Sequence, residues 1–261
     1  MKYNIEGNNF YNISVDYMFY YSHFILKGEA ALSKRGQAYL HKLYYSPSTD
    51  WDLLLIHRFY AADYWGFYGK SFSSNSTLQN ENGWYISCMT KYLNPLEITI
   101  YADFFSSPWW KYRLSKPSQI IDIGLKIDYL LAHNHSLFFQ VNSLFKECDR
   151  AGTKGAIIDP IQLYKFKVQY DWNLLDWCNF KFTSGMNIVK GATKSHGFHL
   201  TPRVSFMGIS IPFRCDCQCS FFHTTNFDSR VYIFEKGVLY SSYTPAFYGK
   251  GYRCSINLNY K

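Results

Sequence analysis

The sequence of 261 residues has little charge and no long hydrophobic run. Asp, Glu, Lys and Arg make up only 18% of it, whereas disordered chains are much more polar. A coiled coil or a collagen-like chain would need a dominant short repeat, which does not occur here. No stretch approaches the roughly 18 to 20 consecutive apolar residues that a membrane-spanning helix requires. These absences exclude a disordered chain, a coiled coil, a collagen-like chain and a protein that spans a membrane with helices.

The sequence also lacks the common catalytic and nucleotide-binding motifs. No G-x-S-x-G, H-E-x-x-H, Walker or G-x-G-x-x-G arrangement occurs. Asp103, Asp122 and Asp128 are explained more simply as charges on the polar strand faces that lysines on those faces neutralise, namely Lys126, Lys165, Lys167 and Lys181. The 27 Lys and Arg residues give a net charge of +8 but are spread along the chain rather than grouped in a stripe. We therefore expect no enzyme, and the sequence does not support nucleic-acid binding.

Neither cysteine nor histidine forms a recognisable metal site or a complete disulfide framework. The total of seven cysteines is odd, and Cys215, Cys217 and Cys219 occupy alternate positions. In a strand such neighbours lie roughly 6 to 7 Å apart, too far to surround zinc with sulfur bonds of about 2.3 Å. We interpret the three as small apolar fillers, and His133 and His135 as solvated turn residues. No metal or other cofactor is expected.

The amino terminus has no apolar segment of the kind found in secretory signal peptides. Residues 1–17 are MKYNIEGNNFYNISVDY, with one lysine and no small-residue cleavage site. The pattern is that of a strand that would need an upstream neighbour. We therefore expect the chain to be a mature or truncated product.

Aromatic side chains are abundant. The chain contains 24 Tyr, 22 Phe and 7 Trp, which together make up 20% of the sequence. These residues favour pleated, half-buried surfaces and membrane interfaces over helix interiors. Many of them are therefore expected on strands.

Hydrophobic residues recur with a period of two, which predicts strands. In one segment Ile121, Ile123 and Leu125 share one face, while Asp122 and Lys126 share the other. Most candidate strands have 8 to 12 residues, and a tilted membrane-crossing strand needs about 9 to 11. About fourteen segments show the pattern: 11–19, 24–32, 37–45, 51–60, 83–92, 98–104, 120–129, 136–146, 164–170, 180–188, 199–207, 212–222, 230–236 and 252–260.

The links between these segments alternate in length, as the short periplasmic turns and longer outer loops of outer-membrane barrels do. The alternation fails near the end of the chain, where 230–242 is either a hairpin-like outer element or a miscounted strand. Short links are expected at 46–50, 93–96, 132–135, 171–176 and 207–212, and long links at about 62–82, 106–117, 147–160 and 189–197.

A soluble β-sandwich would show the same alternation, with its apolar face buried in a core. Three features favour lipid instead. The apolar faces carry almost no charge, the polar faces mix both signs, and aromatic residues such as Tyr252 and Tyr260 cluster at strand ends. The sequence thus predicts an all-β fold, an antiparallel transmembrane β-barrel of about fourteen strands, as a single domain over residues 1–261 in the cell outer membrane.

Several loop-and-strand motifs together resemble a known family. They are residues 59–72 (FYAADYWGFYGKSF) with 79–83 (QNENG), residues 101–113 (YADFFSSPWWKYR), and residues 228–232 (DSRVY) with 245–251 (PAFYGKG). The chain from about residue 25 onward is similar to the barrel portion of Bacteroidetes outer-membrane proteins that also carry a helix-hairpin-helix segment related to competence proteins. That segment is not visible here, so the family's DNA binding is not carried over.

The first functional hypothesis is a structural or transport component of the outer membrane, porin-like, whose loops contact a solute or partner. Its partners would be outer-membrane lipid and a periplasmic or surface protein. An interior crossed by salt bridges would be plugged rather than open. The alternatives are an outer-membrane enzyme with a loop-based active site and a soluble sandwich that binds carbohydrate through Trp and Tyr. The candidate binding residues are Asp63, Trp65, Gln79, Asn80, Glu81, Trp109 and Arg230, all expected in outer loops.

Overall fold

The protein is almost entirely β-structure. The structure is a computed structural model that describes residues 7–67, 69, 71–75, 77–111, 114, 116–149, 158–191, 193–208, 212–237 and 242–260. A 3-10 turn at Phe227–Ser229 is the only helical element in these ranges. No helix in the described ranges is both long and apolar enough to cross a membrane.

Thirteen strands form one large sheet in the described part of the chain, and four short strands form two smaller sheets. Neighbours in the large sheet follow chain order, except that β12 pairs with β17. The strands of the large sheet are β1 (Asn12–Tyr21), β2 (Phe24–Ser33), β3 (Gln37–Ser48), β4 (Trp51–Tyr60), β5 (Glu81–Thr90), β6 (Leu96–Ser107), β7 (Ser118–Ala132), β8 (His135–Asp149), β9 (Ile158–Leu175), β10 (Cys178–Lys190), β11 (Ser195–Met207), β12 (Phe213–Thr224) and β17 (Lys250–Tyr260).

The chain divides into two compact units, which are described separately below. The prediction of a single domain stays a prediction. Unit 1 comprises Met1–Tyr92, Thr99–Ile123 and Leu144–Ile161, and unit 2 comprises Leu93–Ile98, Gly124–Ser143 and Gln162–Lys261.

Thirteen of the fourteen predicted strand segments are strands of the large sheet, and the exception is 230–236. That stretch folds instead as β13 (Val231–Tyr232) and β14 (Glu235–Lys236), which pair antiparallel with β16 (Ala246–Phe247) and β15 (Ser242–Tyr243). We call residues 230–247 the inner hairpin; its residues 238–241 lie outside the described part. Of the two alternatives left open by the sequence, the described residues show the hairpin, but it lies against the polar face of the sheet rather than forming an outer element.

The alternation of link lengths is also found in the structure. The links after β3, β7 and β9 have two residues each, whereas those after β4 and β6 span residues 61–80 and 108–117. The link after β10 is only 191–194, shorter than predicted. Residues 150–157 and 209–211, in two further predicted links, lie outside the described residues.

The faces of the strands are inverted relative to a soluble protein. Ile123 is 47% exposed and Ile256 is 70% exposed, whereas Arg58 is 0% and Ser220 is 1% exposed. Exposure of large apolar residues on one face of the strands suits hydrocarbon rather than water. The predicted orientation is confirmed, and the sandwich alternative is wrong because the long strands form one sheet rather than two stacked ones. Further exposed apolar residues are Trp84, Ile86, Ile100, Phe104, Met186, Phe221, Tyr252 and Leu258.

The interpretation of the cysteines needs a correction. Cys219 and Cys254 lie opposite each other on β12 and β17 and form a disulfide bond, so they are not separate fillers. This pair could not be predicted from local sequence patterns, because four short strands separate β12 from its partner. Cys215 and Cys217 keep free thiols, with their sulfur atoms 3.6 Å apart. No group of three or more His, Cys, Asp or Glu suited to a metal occurs in the described ranges.

Candidate functional site

The seven predicted binding residues are distributed over both units. Their binding roles stay predictions, but their positions are defined. Asp63 and Trp65 lie in the link after β4, Gln79 and Asn80 end that link, Glu81 is the first residue of β5, Trp109 lies in the link after β6, and Arg230 follows the 3-10 turn in unit 2.

Trp65 and Gln79 line a cavity of about 380 Å³ within the link after β4. The backbone N–H of Trp65 donates to Ser33 Oγ at 3.4 Å. The side-chain nitrogen of Gln79 is buried and has no hydrogen-bond partner among the described residues. Asp63, half-buried, does not line this cavity. The cavity is also lined by Gly66, Gly69, Ser71, Ser73, Asn75, Thr77 and Leu78.

Asn80 fastens the two long links of unit 1 to each other. Its side-chain amide nitrogen donates to Trp109 O at 2.7 Å, and the Trp109 N–H donates to Asn80 Oδ1 at 2.6 Å. The backbone of Asn80 has φ = 53°, a left-handed conformation that asparagine tolerates better than most residues. Asn80 and Trp109 therefore act together in positioning the links.

Replacing Asn80 by alanine is expected to destabilise this fastening by about 1 to 4 kcal/mol, because two hydrogen bonds and a tolerated left-handed residue are lost together. Amide hydrogen exchange should accelerate in residues 108–111. Asn80→Gly is the matched control, since glycine accepts positive φ and removes only the two hydrogen bonds. Unchanged exchange in both variants would show that the fastening contributes nothing.

Arg58, Glu81 and Asp103 form a buried ion cluster on the polar face of β4, β5 and β6. Arg58 Nε donates to Glu81 Oε1, and the two terminal nitrogens of Arg58 donate to the Asp103 oxygens at 2.8 and 3.0 Å. The guanidinium carbon lies 5.0 Å from the ring centroids of both Phe72 and Phe105. A planar guanidinium can bridge two carboxylates and stack on aromatic rings at once, which a lysine cannot.

Gly83 makes room for this cluster. A Cβ at this position would lie 2.5 Å from Phe105 Cβ and 3.1 Å from the guanidinium carbon of Arg58. Any larger residue would push apart the ring and the cation that it covers. The glycine in the QNENG motif is thus explained by a close approach between side chains.

Glu81 also anchors the link after β4. Ser73 Oγ donates to its carboxylate at 2.8 Å, and the backbone N–H groups of Ser74 and Asn75 donate at 3.1 to 3.2 Å. The expectation that Glu81 lies in an outer loop is wrong, because it begins β5 and is 0% exposed. Its sequence position at the loop end concealed that its oxygens are occupied by the protein itself.

Lys111 adds a further contact between the two long links of unit 1. Its ammonium donates to Asn75 Oδ1. Burial lowers the pKa of Lys111, and the Glu81 carboxylate partly offsets that effect. The cation therefore supports the loop anchor at some cost in desolvation.

Arg230 has a local structural role in unit 2. Its guanidinium carbon lies 4.4 Å from the Phe227 ring centroid, its Nε donates to Tyr232 OH at 2.7 Å, and its Nη1 donates to Phe227 O at 3.2 Å. Asn187 Nδ2 donates to Arg230 O at 2.8 Å. These contacts fix the start of the inner hairpin against β10.

The inner hairpin lies against the polar face of unit 2. Arg253 donates to the Glu235 carboxylate at 2.6 and 3.0 Å, and Lys236 forms an ion pair with Asp216. Arg203 Nη2 donates to Phe234 O at 2.8 Å. Strands β11, β12 and β17 therefore hold the inner hairpin through these contacts.

A cavity of about 570 Å³ lies between the inner hairpin and the polar faces of β8 to β11 in unit 2. Its charged side chains are all basic, because none of the described lining residues is Asp or Glu. Neutral amides and hydroxyls supply most of the rest. The lining includes Gln140, Asn142, Lys165, Lys167, Gln169, Lys181, Thr183, Asn187, His199, Thr201, Arg203, Val231, Tyr232, Ile233, Phe234 and Thr244.

The sequence predictions missed this cavity. They placed Lys165, Lys167 and Lys181 correctly on polar faces but treated them as charges satisfied by aspartates. The available signal was the order of residues on the polar face of β9, where Lys165 and Lys167 are followed by Gln169 and only then by Asp171. The sequence does not predict the hairpin wall, because it leaves residues 230–242 as either a hairpin-like outer element or a miscounted strand, and neither alternative places them against the polar face.

Comparison with known proteins identifies the fold. No protein-family model matches the chain, and no curated protein matches it by sequence. The outer membrane channel DcaP of Acinetobacter baumannii is similar in structure, with TM-score 0.55 and 7% identity, over 95% of this chain and 84% of that one. OmpT, an outer membrane protein of Vibrio cholerae, has TM-score 0.56 and 7% identity, over 95% and 88% of the two chains. The chain has the fold of outer-membrane β-barrel proteins.

Proposed function

We propose that this outer-membrane β-barrel is a channel for hydrophilic solutes, with the inner hairpin restricting the passage. The carrying observation is the inverted distribution of side chains: the apolar face is exposed, while the polar face bears ion pairs, amides and a basic cavity. A sheet of this kind can contact hydrocarbon with its apolar face and water with its polar face. The barrel fold of DcaP, a channel by its description, supports the same function.

The long links of unit 1 would contact a solute or a protein partner at the membrane surface, and lipid would cover the apolar face. Trp110, 65% exposed beside Trp109, suits such a contact because a large aromatic ring binds with little entropy loss. Membership in the Bacteroidetes family with the helix-hairpin-helix segment is part of this proposal. Finding that segment in the same reading frame would support it.

Catalysis is not part of the proposed function, which distinguishes it from an outer-membrane enzyme with a loop-based active site. The carboxylate of Glu81, a natural candidate for loop chemistry, is bound by Arg58, two backbone N–H groups and Ser73. A general acid or base must reach the substrate directly or through one water molecule. The enzyme alternative would need another residue in this role.

Planar bilayer recording of the full chain tests the proposal. Purified protein refolded in detergent should produce discrete, reproducible conductance steps. Heat-denatured protein from the same preparation is the control. A correctly folded preparation that leaves the bilayer silent would contradict the channel function and favour a plugged scaffold.

Weakening the inner hairpin should enlarge the conductance. The double variant Glu235→Gln, Lys236→Met removes the hairpin's side of two ion pairs, to Arg253 and Asp216, so the hairpin should leave the polar face more often. We expect larger or more frequently fluctuating conductance steps. Lys250→Gln, an exposed position on β17, should behave as the unmodified protein. An identical conductance in the double variant would show that the hairpin does not restrict the passage.

A further inference from the structure

The basic cavity of unit 2 has more positive charge than its neighbours neutralise. Lys181 lies 3.0 Å from Asp171, and Arg203 donates to Gln218 Oε1 at 2.9 Å. Lys165 and Lys167 form no ion pair with a carboxylate among the described residues, although the charge of Asp171 also acts on Lys167. Two cations of the cavity are thus engaged by the protein, and two are left for a ligand.

Lys165 and Lys167 can act on the same group. They are two residues apart on β9, so their side chains leave the same face roughly 6 to 7 Å apart. Both are half-buried, and the Lys167 ammonium lies 5.5 Å from the Phe138 ring centroid. Two flexible ammonium groups at this spacing can converge on one phosphate or carboxylate, where each forms a charge-assisted hydrogen bond.

A glycine next to Lys167 in the sheet leaves space for the side chain of His199. Gly185 on β10 pairs with both Lys167 and His199 in the sheet register. A Cβ on Gly185 would lie 2.4 Å from His199 Nε2. The imidazole therefore lies over the glycine, and its Nδ1 is 3.2 Å from Thr201 Oγ1. This arrangement places the polar imidazole of His199 beside Lys165 and Lys167.

The polar part of the remaining lining is suited to hydroxyl groups. Gln140, Asn142, Gln169 and Asn187 provide amides, and Thr183 adds a hydroxyl. Amides both donate and accept, as sugar and polyol hydroxyls do. Two of these amides are oriented by hydrogen bonds that their nitrogens donate, from Asn187 Nδ2 to Arg230 O and from Gln169 Nε2 to Asp171 Oδ2 at 2.8 Å.

We propose that this cavity is a binding site for a small phosphate ester that bears several hydroxyl groups, of the sugar phosphate type. Lys165 and Lys167 bind the phosphate, and the amides and Thr183 bind the hydroxyls. A volume of about 570 Å³ lies within the usual range of about 300 to 1,000 Å³ for small-molecule sites. The inference deepens the proposed channel function, on which it depends for the route by which the ligand arrives.

Isothermal titration of the full chain in detergent micelles tests the site with three probes. Glucose 6-phosphate carries both kinds of group, inorganic phosphate only the anion, and glucose only the hydroxyls. Glucose 6-phosphate should bind most tightly. Lys165→Gln, Lys167→Gln should weaken it by about tenfold or more, the loss expected for one or two charge-assisted hydrogen bonds. Lys190→Gln, Lys194→Gln removes the same charge at exposed positions and should leave binding unchanged.

Conservative variants distinguish the loss of the lysine charges from misfolding of the protein. Lys165→Arg, Lys167→Arg keeps both charges and should retain affinity for glucose 6-phosphate within about threefold, a difference below 1 kcal/mol. Equal loss in the Gln and control variants would overturn the site as nonspecific attraction. Equal affinity for phosphate and glucose 6-phosphate would overturn the hydroxyl contacts, and undetectable binding of all three probes would overturn the inference entirely.

The outcomes also separate this inference from the channel function. Conductance in bilayers without binding of glucose 6-phosphate would overturn the inference alone. Lysine-dependent binding by a protein that leaves bilayers silent would support the site and contradict the channel. Conductance that falls when glucose 6-phosphate is added, in the unmodified protein but not in Lys165→Gln, Lys167→Gln, is the result expected if both are correct.

Discussion

Arg58→Leu is expected to lower the free energy of unfolding by about 3 to 5 kcal/mol, the usual cost of removing one partner from a buried ion pair. The variant leaves Glu81 and Asp103 buried without their shared cation. Solvent cannot compensate the two carboxylates for the lost guanidinium, because Glu81 is 0% exposed and Asp103 is 7% exposed. Arg58 itself is 0% exposed. Urea unfolding in phospholipid vesicles, followed by tryptophan fluorescence, measures the change.

Asp103→Asn is the variant to compare with Arg58→Leu, because it separates the effect of charge from that of side-chain packing. Two carboxylates share one guanidinium, so neutralising one of them leaves a balanced pair between Arg58 and Glu81. The asparagine oxygen can still accept from Arg58. We expect a markedly smaller loss of stability than in Arg58→Leu. If the two variants are equally destabilised, side-chain packing rather than charge compensation holds the cluster together.

Ile123→Lys is expected to cost about 2 to 4 kcal/mol, the value typical of a lysine on the lipid face near the bilayer midplane. Ile123 lies within β7, well away from both ends, and 47% of its side chain is exposed. In water an exposed lysine would cost almost nothing, so the size of the effect reports the surrounding medium. Unfolding from vesicles by urea gives the free energy.

Gln119→Lys is the matched control for Ile123→Lys. Gln119 lies on the same face of the same strand, four residues nearer its beginning, and is exposed. Near the membrane interface the cost of a lysine falls to about 0 to 1 kcal/mol. The contrast between the two variants therefore measures depth. Equal and small effects would show that the apolar face of β7 does not contact hydrocarbon.

The period-two pattern predicted the strands well because a strand needs only local alternation and sufficient length. The same pattern failed at 230–236, where Val231, Ile233 and Glu235 alternate with Tyr232 and Phe234. Val231 and Ile233 are 1% and 2% exposed, so here the apolar residues pack inward against the protein. Alternation in the sequence cannot show whether the apolar face of a strand contacts lipid or packs against the rest of the protein.

The candidate binding residues show where sequence reasoning stops. The motifs correctly drew attention to Asn80 and Trp109, which contact each other although 29 residues apart. They gave no indication of Arg58, whose charge lies within an otherwise apolar-looking strand and joins carboxylates 23 and 45 positions away. The basic cavity needed the register of β9 to β11 and the return of the hairpin, neither of which is encoded locally.

The amino-acid sequence alone determined that the chain is all-β, that apolar and polar residues alternate along its strands, and that its links alternate in length, because each of these can be read from the local order of residues. Only the tertiary structure decided the Cys219–Cys254 pair, the burial of Glu81 and the inward course of residues 230–247. These depend on which distant strands lie side by side. Side chains separated by tens of residues then meet, and the cost of burying their charges is offset only by the partners found there.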